Sequence, residues 1–255
     1  MKLGIFDSGA GGLSVLKNIL EAQIFESIIY YGDTARLPYG TKHPLSIAQF
    51  SLEALDFFHQ QQTDMIVVAC NTASAYGLKH MQKKSKIPII GVIEPGILAL
   101  QNKIKNLDAK ILILATKATI QSKQYQNHLI KLGYHNLTAI ATSLFVPLVE
   151  ENIFEGKILD EVMHFYFKDI HFIPDAIILG CTHFPLLSAS ISNYFNHKST
   201  LIHSGEAIID FIQRQRIFSK TPTTKLEFYA SSDVETLKET ANKWLHLPNY
   251  SFLKT

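Results

Sequence analysis

With two cysteines in 255 residues, Cys70 and Cys181, the chain has no disulfide framework, and neither cysteine belongs to a Cys-x-x-Cys pair. Structural zinc needs four ligands, and the one local cluster of ligand-type residues is Cys181-x-His183, so no metal is expected. No apolar run is long enough to cross a bilayer, and Met1-Lys2-Leu3-Gly4-Ile5-Phe6 reads as a strand rather than as a signal peptide. The expectation is a soluble, cytoplasmic protein with reduced thiols and no membrane partner. Charge is scarce and nearly balanced, with 24 Lys and Arg against 22 Asp and Glu for a net charge of +2. Without a basic cluster there is no electrostatic footprint for nucleic acid, which leaves a small molecule as the expected partner. The dinucleotide fingerprint and the P-loop are missing too. No lysine marks a pyridoxal site, since Lys117 reads as a solvated or carboxylate-binding lysine in a turn.

What is present is a repeated grammar. The run Ile66-Val67-Val68-Ala69 stops at Cys70-Asn71-Thr72, and Ile177-Ile178-Leu179-Gly180 stops at Cys181-Thr182-His183. Each is a short β-branched run followed by small polar residues and a helical pattern, which predicts a buried strand, a turn and a helix start. Strands are predicted at residues 3–6, 28–31, 66–69 and 87–92, and again at 110–114, 137–141, 177–179 and 201–205. The offset is 108 from Lys2 to Lys110 and 111 from Cys70 to Cys181, so four strands recur in order. A period of this length, used once, predicts two pseudo-symmetric parallel-sheet α/β domains facing each other across a cleft. A long helical pattern runs through Leu52, Leu55, Phe57 and Phe58, and a helix beyond Cys70 is expected to reach Met81. Pro38-Tyr39-Gly40 and Pro147-Leu148-Val149-Glu150 are expected as equivalent loops. After the polar stretch from Ser219 to Thr224, a strand at 226–229 and a helix containing Trp244 have no counterpart in the first repeat. They are expected to return to the first domain, giving residues 1–93 plus 207–255 for that domain and 94–206 for the second. Trp244, at helical spacing, is expected in the core.

Cys70 and Cys181 both fall at carboxyl ends of predicted strands, the edge of a parallel sheet where ligands bind and where helix N–H groups favour a thiolate. For one free cysteine, an inert buried thiol would be the ordinary reading. Two at equivalent places suit the removal of a proton from one face of a carbon and its return to the other, which is racemisation. With an ordinary pKa near 8.5, forming a thiolate at neutral pH costs about 2 kcal/mol. The turn Asp7-Ser8-Gly9-Ala10-Gly11-Gly12 offers backbone N–H groups to an anion and a carboxylate to an ammonium group, as an amino acid would require.

Asp7-Ser8-Gly9 with Gly11-Gly12, Ala35-Arg36 with Pro38-Tyr39-Gly40, Cys70-Asn71-Thr72-Ala73-Ser74, Glu94-Pro95 and Gly180-Cys181-Thr182-His183 together resemble the glutamate racemase family. The resemblance spans nearly the whole chain. It implies a cofactor-independent enzyme that interconverts L- and D-glutamate for peptidoglycan synthesis, and a homodimer. It implies Cys70 and Cys181 as the acid/base pair, with Asp7 assisting the first, His183 the second and Glu150 supporting His183. Ser8, Tyr39, Gly40, Asn71, Thr72, Thr116, Thr119 and Thr182 are implied to hold the substrate's charged groups, with Asp7 and His183 beside them. Asn71, Thr72 and Thr182 also suit ordinary helix capping. An aspartate-specific enzyme with the same two thiols, or a non-catalytic amino-acid-binding protein with the same cleft, are the alternatives.

Overall fold

Nine parallel strands fall into two sheets in the computed structural model, which describes residues 1–214, 220–221 and 223–245. They are β1 (Lys2–Asp7), β2 (Ser27–Gly32), β3 (Met65–Val68), β4 (Ile89–Gly91), β5 (Ile111–Ala115), β6 (Leu137–Ala141), β7 (Ala176–Gly180), β8 (Thr200–His203) and β9 (Lys225–Ala230). The first sheet has the order β4-β3-β1-β2-β9 and the second β6-β5-β7-β8. Read from its other edge, the second sheet repeats the first, with β8, β7, β5 and β6 standing for β4, β3, β1 and β2. The predicted duplication is thus present in the pairing order. The strand without a counterpart, β9, pairs in parallel with β2, from Ser27 opposite Lys225 to Gly32 opposite Ala230.

The helices in the first half are α1 (Leu13–Ala22), α2 (Pro44–Gln60), α3 (Asn71–Tyr76), α4 (Leu78–Lys84) and α5 (Ile93–Lys103). Those that follow are α6 (Lys117–Ser122), α7 (Gln124–Lys131), α8 (Phe145–Glu150), α9 (Lys157–Phe167), α10 (Ser188–Tyr194), α11 (Ile208–Gln213) and α12 (Val234–Leu245). Both faces of each sheet are covered, so the central strands read as continuous apolar runs. Alternate residues supply the two faces. Leu3, Ile5, Met65 and Val67 join an apolar cluster with α1, α11 and α12, while Phe6, Ile66, Val68 and Cys70 join one with α2 and α3. In the second sheet, Leu112, Leu114, Ile177, Leu179 and Cys181 share one cluster, and Ile111, Ile113, Ala176 and Ile178 the other. Fully burying one such side chain stabilises the fold by roughly 1.5–3 kcal/mol.

Three local expectations change. The helix after Cys70 is two helices, α3 and α4, parted at Gly77. A Cβ at Gly77 would lie 2.0 Å from Ser51 Oγ on α2, so glycine is needed for the close approach of that helix. Residues 147–150 are the body of α8 rather than a loop. Pro147 falls in its first turn, where its missing N–H would have had no helical acceptor. Lys117 opens α6 and is exposed, with Thr116 as the cap whose hydroxyl accepts from the Thr119 N–H. Ser219 and Pro222 of the polar stretch, and residues 246–255 of the expected first domain, lie outside the described residues. Among the described residues, no helix is long and apolar enough to cross a membrane.

Candidate active site

Both cysteines are free and buried, and both line one pocket of about 380 Å³ of empty volume. Each follows a strand, β3 or β7, as the repeat predicts. Ser8, Gly9, Leu37, Pro38, Tyr39, Gly40, Asn71, Thr72, Thr116, Val146, Glu150, Thr182 and His183 complete the lining, with no lysine or arginine among them. Of the residues predicted for the site, only Asp7 and Thr119 lie outside this lining, and both hydrogen-bond to residues within it. Sequence reasoning missed Leu37 and Val146, because an apolar wall residue has no local signature.

Cys70 caps α3. Its sulfur accepts from the Ala73 N–H at 3.4 Å, and its thiol donates to Ser8 Oγ at 3.6 Å. Burial raises the Cys70 pKa to about 12; the Asp7 carboxylate pushes the same way, and the Ala73 and Ser8 contacts oppose it. Asp7, fully buried at the end of β1, is raised to about 6, chiefly by burial and against the pull of His183. Its Oδ2 accepts from the Gly9 N–H at 3.0 Å, and its Oδ1 accepts from the Thr182 hydroxyl at 3.3 Å. Asp7, on the first sheet, is thereby tied to the residue that follows Cys181.

Cys181 has a different partner set. Its sulfur lies 3.7 Å from His183 Nδ1, and His183 Nε2 lies 2.5 Å from Glu150 Oε1. Burial pulls the His183 pKa down, but the Cys181 and Glu150 contacts outweigh it and hold the imidazole at about 10. That shift favours the protonated ring, with Nδ1 facing the sulfur and Nε2 the carboxylate. Trp244 stands edge-on to this ring at 6.3 Å between centroids, and it packs against apolar clusters of both sheets. Trp244 is thus half-buried, packed against the core rather than within it as expected, and its ring also meets the site.

The glycine-rich turn serves the site through space. A Cβ at Gly11 would lie 2.4 Å from Thr182 Oγ1 and 2.5 Å from His183 Nδ1. The second half therefore approaches the first closely enough to exclude a side chain. Ser14 Oγ adds a bond to the Thr182 carbonyl at 2.8 Å. Three hydroxyls, from Thr72, Thr116 and Thr119, hydrogen-bond mutually at 2.9–3.0 Å and are buried. Gly40 packs against Thr116, which a Cβ at Gly40 would meet at 2.5 Å.

Tyr39, implied as a substrate-holding residue, donates its hydroxyl to Asp33 Oδ2, which also accepts from Arg36 Nε at 2.7 Å. Asp33 is fully buried, and Arg36 also stacks on Phe50 at 4.2 Å and pairs with Glu53. The phenol is thus an anchor for the 38–40 turn, and Tyr39 lines the cleft with its hydroxyl already committed to Asp33.

Paired thiols in one buried cleft between two parallel sheets, each with its own acid/base partners, define a site suited to moving a proton on and off one carbon. A family model described as Asp/Glu/Hydantoin racemase matches residues 6–212. A curated glutamate racemase of Campylobacter jejuni subsp. jejuni is 56% identical over 97% of this chain and 99% of its own length. A crystal structure of glutamate racemase from Campylobacter jejuni subsp. jejuni superposes with a TM-score of 0.95 at 54% identity, covering 98% of this chain and all of that one. A crystal structure of glutamate racemase from Francisella tularensis subsp. tularensis in complex with D-glutamate gives a TM-score of 0.86 at 30% identity, over 99% of this chain and 96% of that one. The chain belongs to the Asp/Glu/hydantoin racemase family, and it is an isomerase, an amino-acid racemase.

Proposed function

We propose that the chain interconverts L- and D-glutamate by a two-base reaction in which Cys70 and Cys181 work from opposite faces of the substrate's α-carbon. The observation that carries this reading is the joint lining of one pocket by two thiols with distinct partners, Asp7 and Ser8 at Cys70, His183 and Glu150 at Cys181. In one direction a thiolate takes the α-proton: the Cα–H bond breaks, an S–H bond forms, and the electron pair passes into the carboxylate as an enediolate. The opposing thiol then protonates the carbon from the other face and becomes the thiolate. The two sulfurs end in exchanged states, so the reverse reaction starts from the product form.

The α-hydrogen of an amino acid is far less acidic than a thiol, so charge must be stabilised as it develops. The neutral donors of Ser8, Asn71, Thr72, Thr116, Thr119 and Thr182, with backbone N–H groups of the 39–40 turn, suit the two carboxylates. An ammonium group beside Asp7 and Cys70 would oppose the shifts that burial imposes on both, which favours the ionised forms once substrate is bound. The His183 imidazolium, supported by Glu150, is placed to return a proton to Cys181 or to stabilise its thiolate.

The decisive experiment is incubation of purified protein with L-glutamate in deuterated buffer, without pyridoxal phosphate or added metal. α-Deuterium incorporation with formation of D-glutamate supports the reading; its absence overturns it, and faster turnover of aspartate would assign the enzyme to that substrate instead. By the same family likeness we propose a cytoplasmic enzyme that supplies D-glutamate to peptidoglycan synthesis and acts as a homodimer, which sedimentation at assay concentration tests. We also divide the chain at residues 93/94 and 206/207, a reading supported by β9 pairing with β2 and by Ile208 and Ile212 joining the cluster of the first sheet.

A further inference from the structure

Asn71, next to Cys70, is 2% exposed and lines the pocket, yet its amide nitrogen has no partner among the described residues. Its amide oxygen has one: the Tyr125 hydroxyl donates to Oδ1 at 2.7 Å. Tyr125 belongs to the other half of the repeat, on α7, and is 1% exposed. The Ser204 side chain also hydrogen-bonds this hydroxyl. A phenol has a single proton. An amide oxygen can only accept, so in this pairing the proton goes to Asn71 Oδ1 and the phenolic oxygen is left to accept from Ser204.

This relay decides which way the amide faces. If Asn71 turned over, its NH2 group would meet the Tyr125 proton, and the phenol would have to give up that bond or turn its proton toward Ser204. The favoured orientation keeps Oδ1 on Tyr125 and leaves Nδ2 as a buried, unmet donor on a residue that lines the pocket. The ring itself is closely seated. A Cβ at Gly96 would lie 3.1 Å from its hydroxyl, and one at Gly180 would lie 3.2 Å from its Cε2. Gly180 immediately precedes Cys181, so Tyr125 touches the residue after one thiol and the residue before the other.

We propose that Tyr125 is a positioning residue: through its bond to Asn71 it holds the Asn71 amide with Nδ2 turned to donate to a substrate carboxylate. The proposal rests on the racemase reading, and it adds a residue that neither touches substrate nor belongs to any motif in the sequence. Ser204 is the second member of the same relay.

The test is a double-mutant cycle read by steady-state racemisation in both directions. Tyr125→Phe keeps the ring and removes the proton. It is expected to raise KM for L- and D-glutamate about tenfold and to leave kcat within about twofold, the pattern of lost substrate binding. Ser204→Ala, which frees the phenolic oxygen without disturbing the ring, is expected to raise KM by about threefold. In an Asn71→Ala background, which itself raises KM, neither substitution should raise it further, because the group they orient is gone. Effects that add in the double variants, a fall in kcat at unchanged KM, or wild-type KM in Tyr125→Phe would each overturn the proposal. If Tyr125→Phe fails to fold, Ser204→Ala with and without Asn71→Ala gives the same decision. Failure of the wild type to racemise either amino acid would remove the function itself, an outcome separate from a negative cycle in an active enzyme.

Discussion

At the scale of single residues, the two thiols are chemically equivalent but physically unlike. Cys70 sits against a carboxylate and a hydroxyl, whereas Cys181 sits against an imidazole backed by Glu150. In the proposed reaction, replacing either sulfur with oxygen removes the group that accepts the α-proton on that face. Cys70→Ser and Cys181→Ser are each expected to lower kcat by at least about a thousandfold while D-glutamate still binds, as measured by calorimetry. The titrations also make a prediction for stability. Asp7 at about 6, His183 at about 10 and Cys70 at about 12 all hold their protons to higher pH in the fold than in the unfolded chain. The native state therefore binds more protons, and stability falls as pH rises through each interval. For His183 the contribution is complete below its ordinary value of 6.5 and lost as pH passes about 10. Melting temperatures recorded from pH 6 to pH 10 should decline in the wild type and decline less in His183→Asn. An equal slope in the two proteins would remove His183 as the source.

At the scale of elements, glycine acts mainly through contact distance. Gly77 parts α3 from α4 where α2 crosses, and an alanine there would overlap Ser51. Gly77→Ala is expected to cost about 1–3 kcal/mol in denaturant unfolding, with part of that recovered when Ser51→Gly is added. Failure of the second substitution to recover stability would show that helix geometry, rather than the contact, is responsible. The strands were readable in the sequence because runs such as Ile111-Leu112-Ile113-Leu114 are buried on both faces and leave no other assignment. Helix α8 was not, because Pro147 has the same local signature at the first turn of a helix as in a loop. Tyr125 was not readable for a different reason: its partner Asn71 is 54 residues away, and no local pattern encodes that pairing. Tyr39 was legible as a site residue, but the direction of its hydroxyl, toward Asp33, depends on packing alone.

At the scale of the whole molecule, the repeated strand order places two strand ends together at one cleft and leaves β9 outside the repeat, closing the first sheet beyond β2. Duplication explains why the donors that line the cleft are so uniform. Most are hydroxyls, amides and backbone groups at helix starts, with His183 the one basic side chain and no lysine or arginine in the lining. Recognition of a ligand's two carboxylates chiefly by dipoles has a consequence for how the enzyme meets its medium. Mobile counter-ions weaken attraction between separated charges, but they have little purchase on short contacts made inside a buried pocket. KM for glutamate should accordingly stay within about twofold as sodium chloride is raised from about 50 to about 500 mM, where a lysine-lined funnel would lose affinity steeply. An enzyme of this design would keep its hold on substrate through swings in cellular osmolarity.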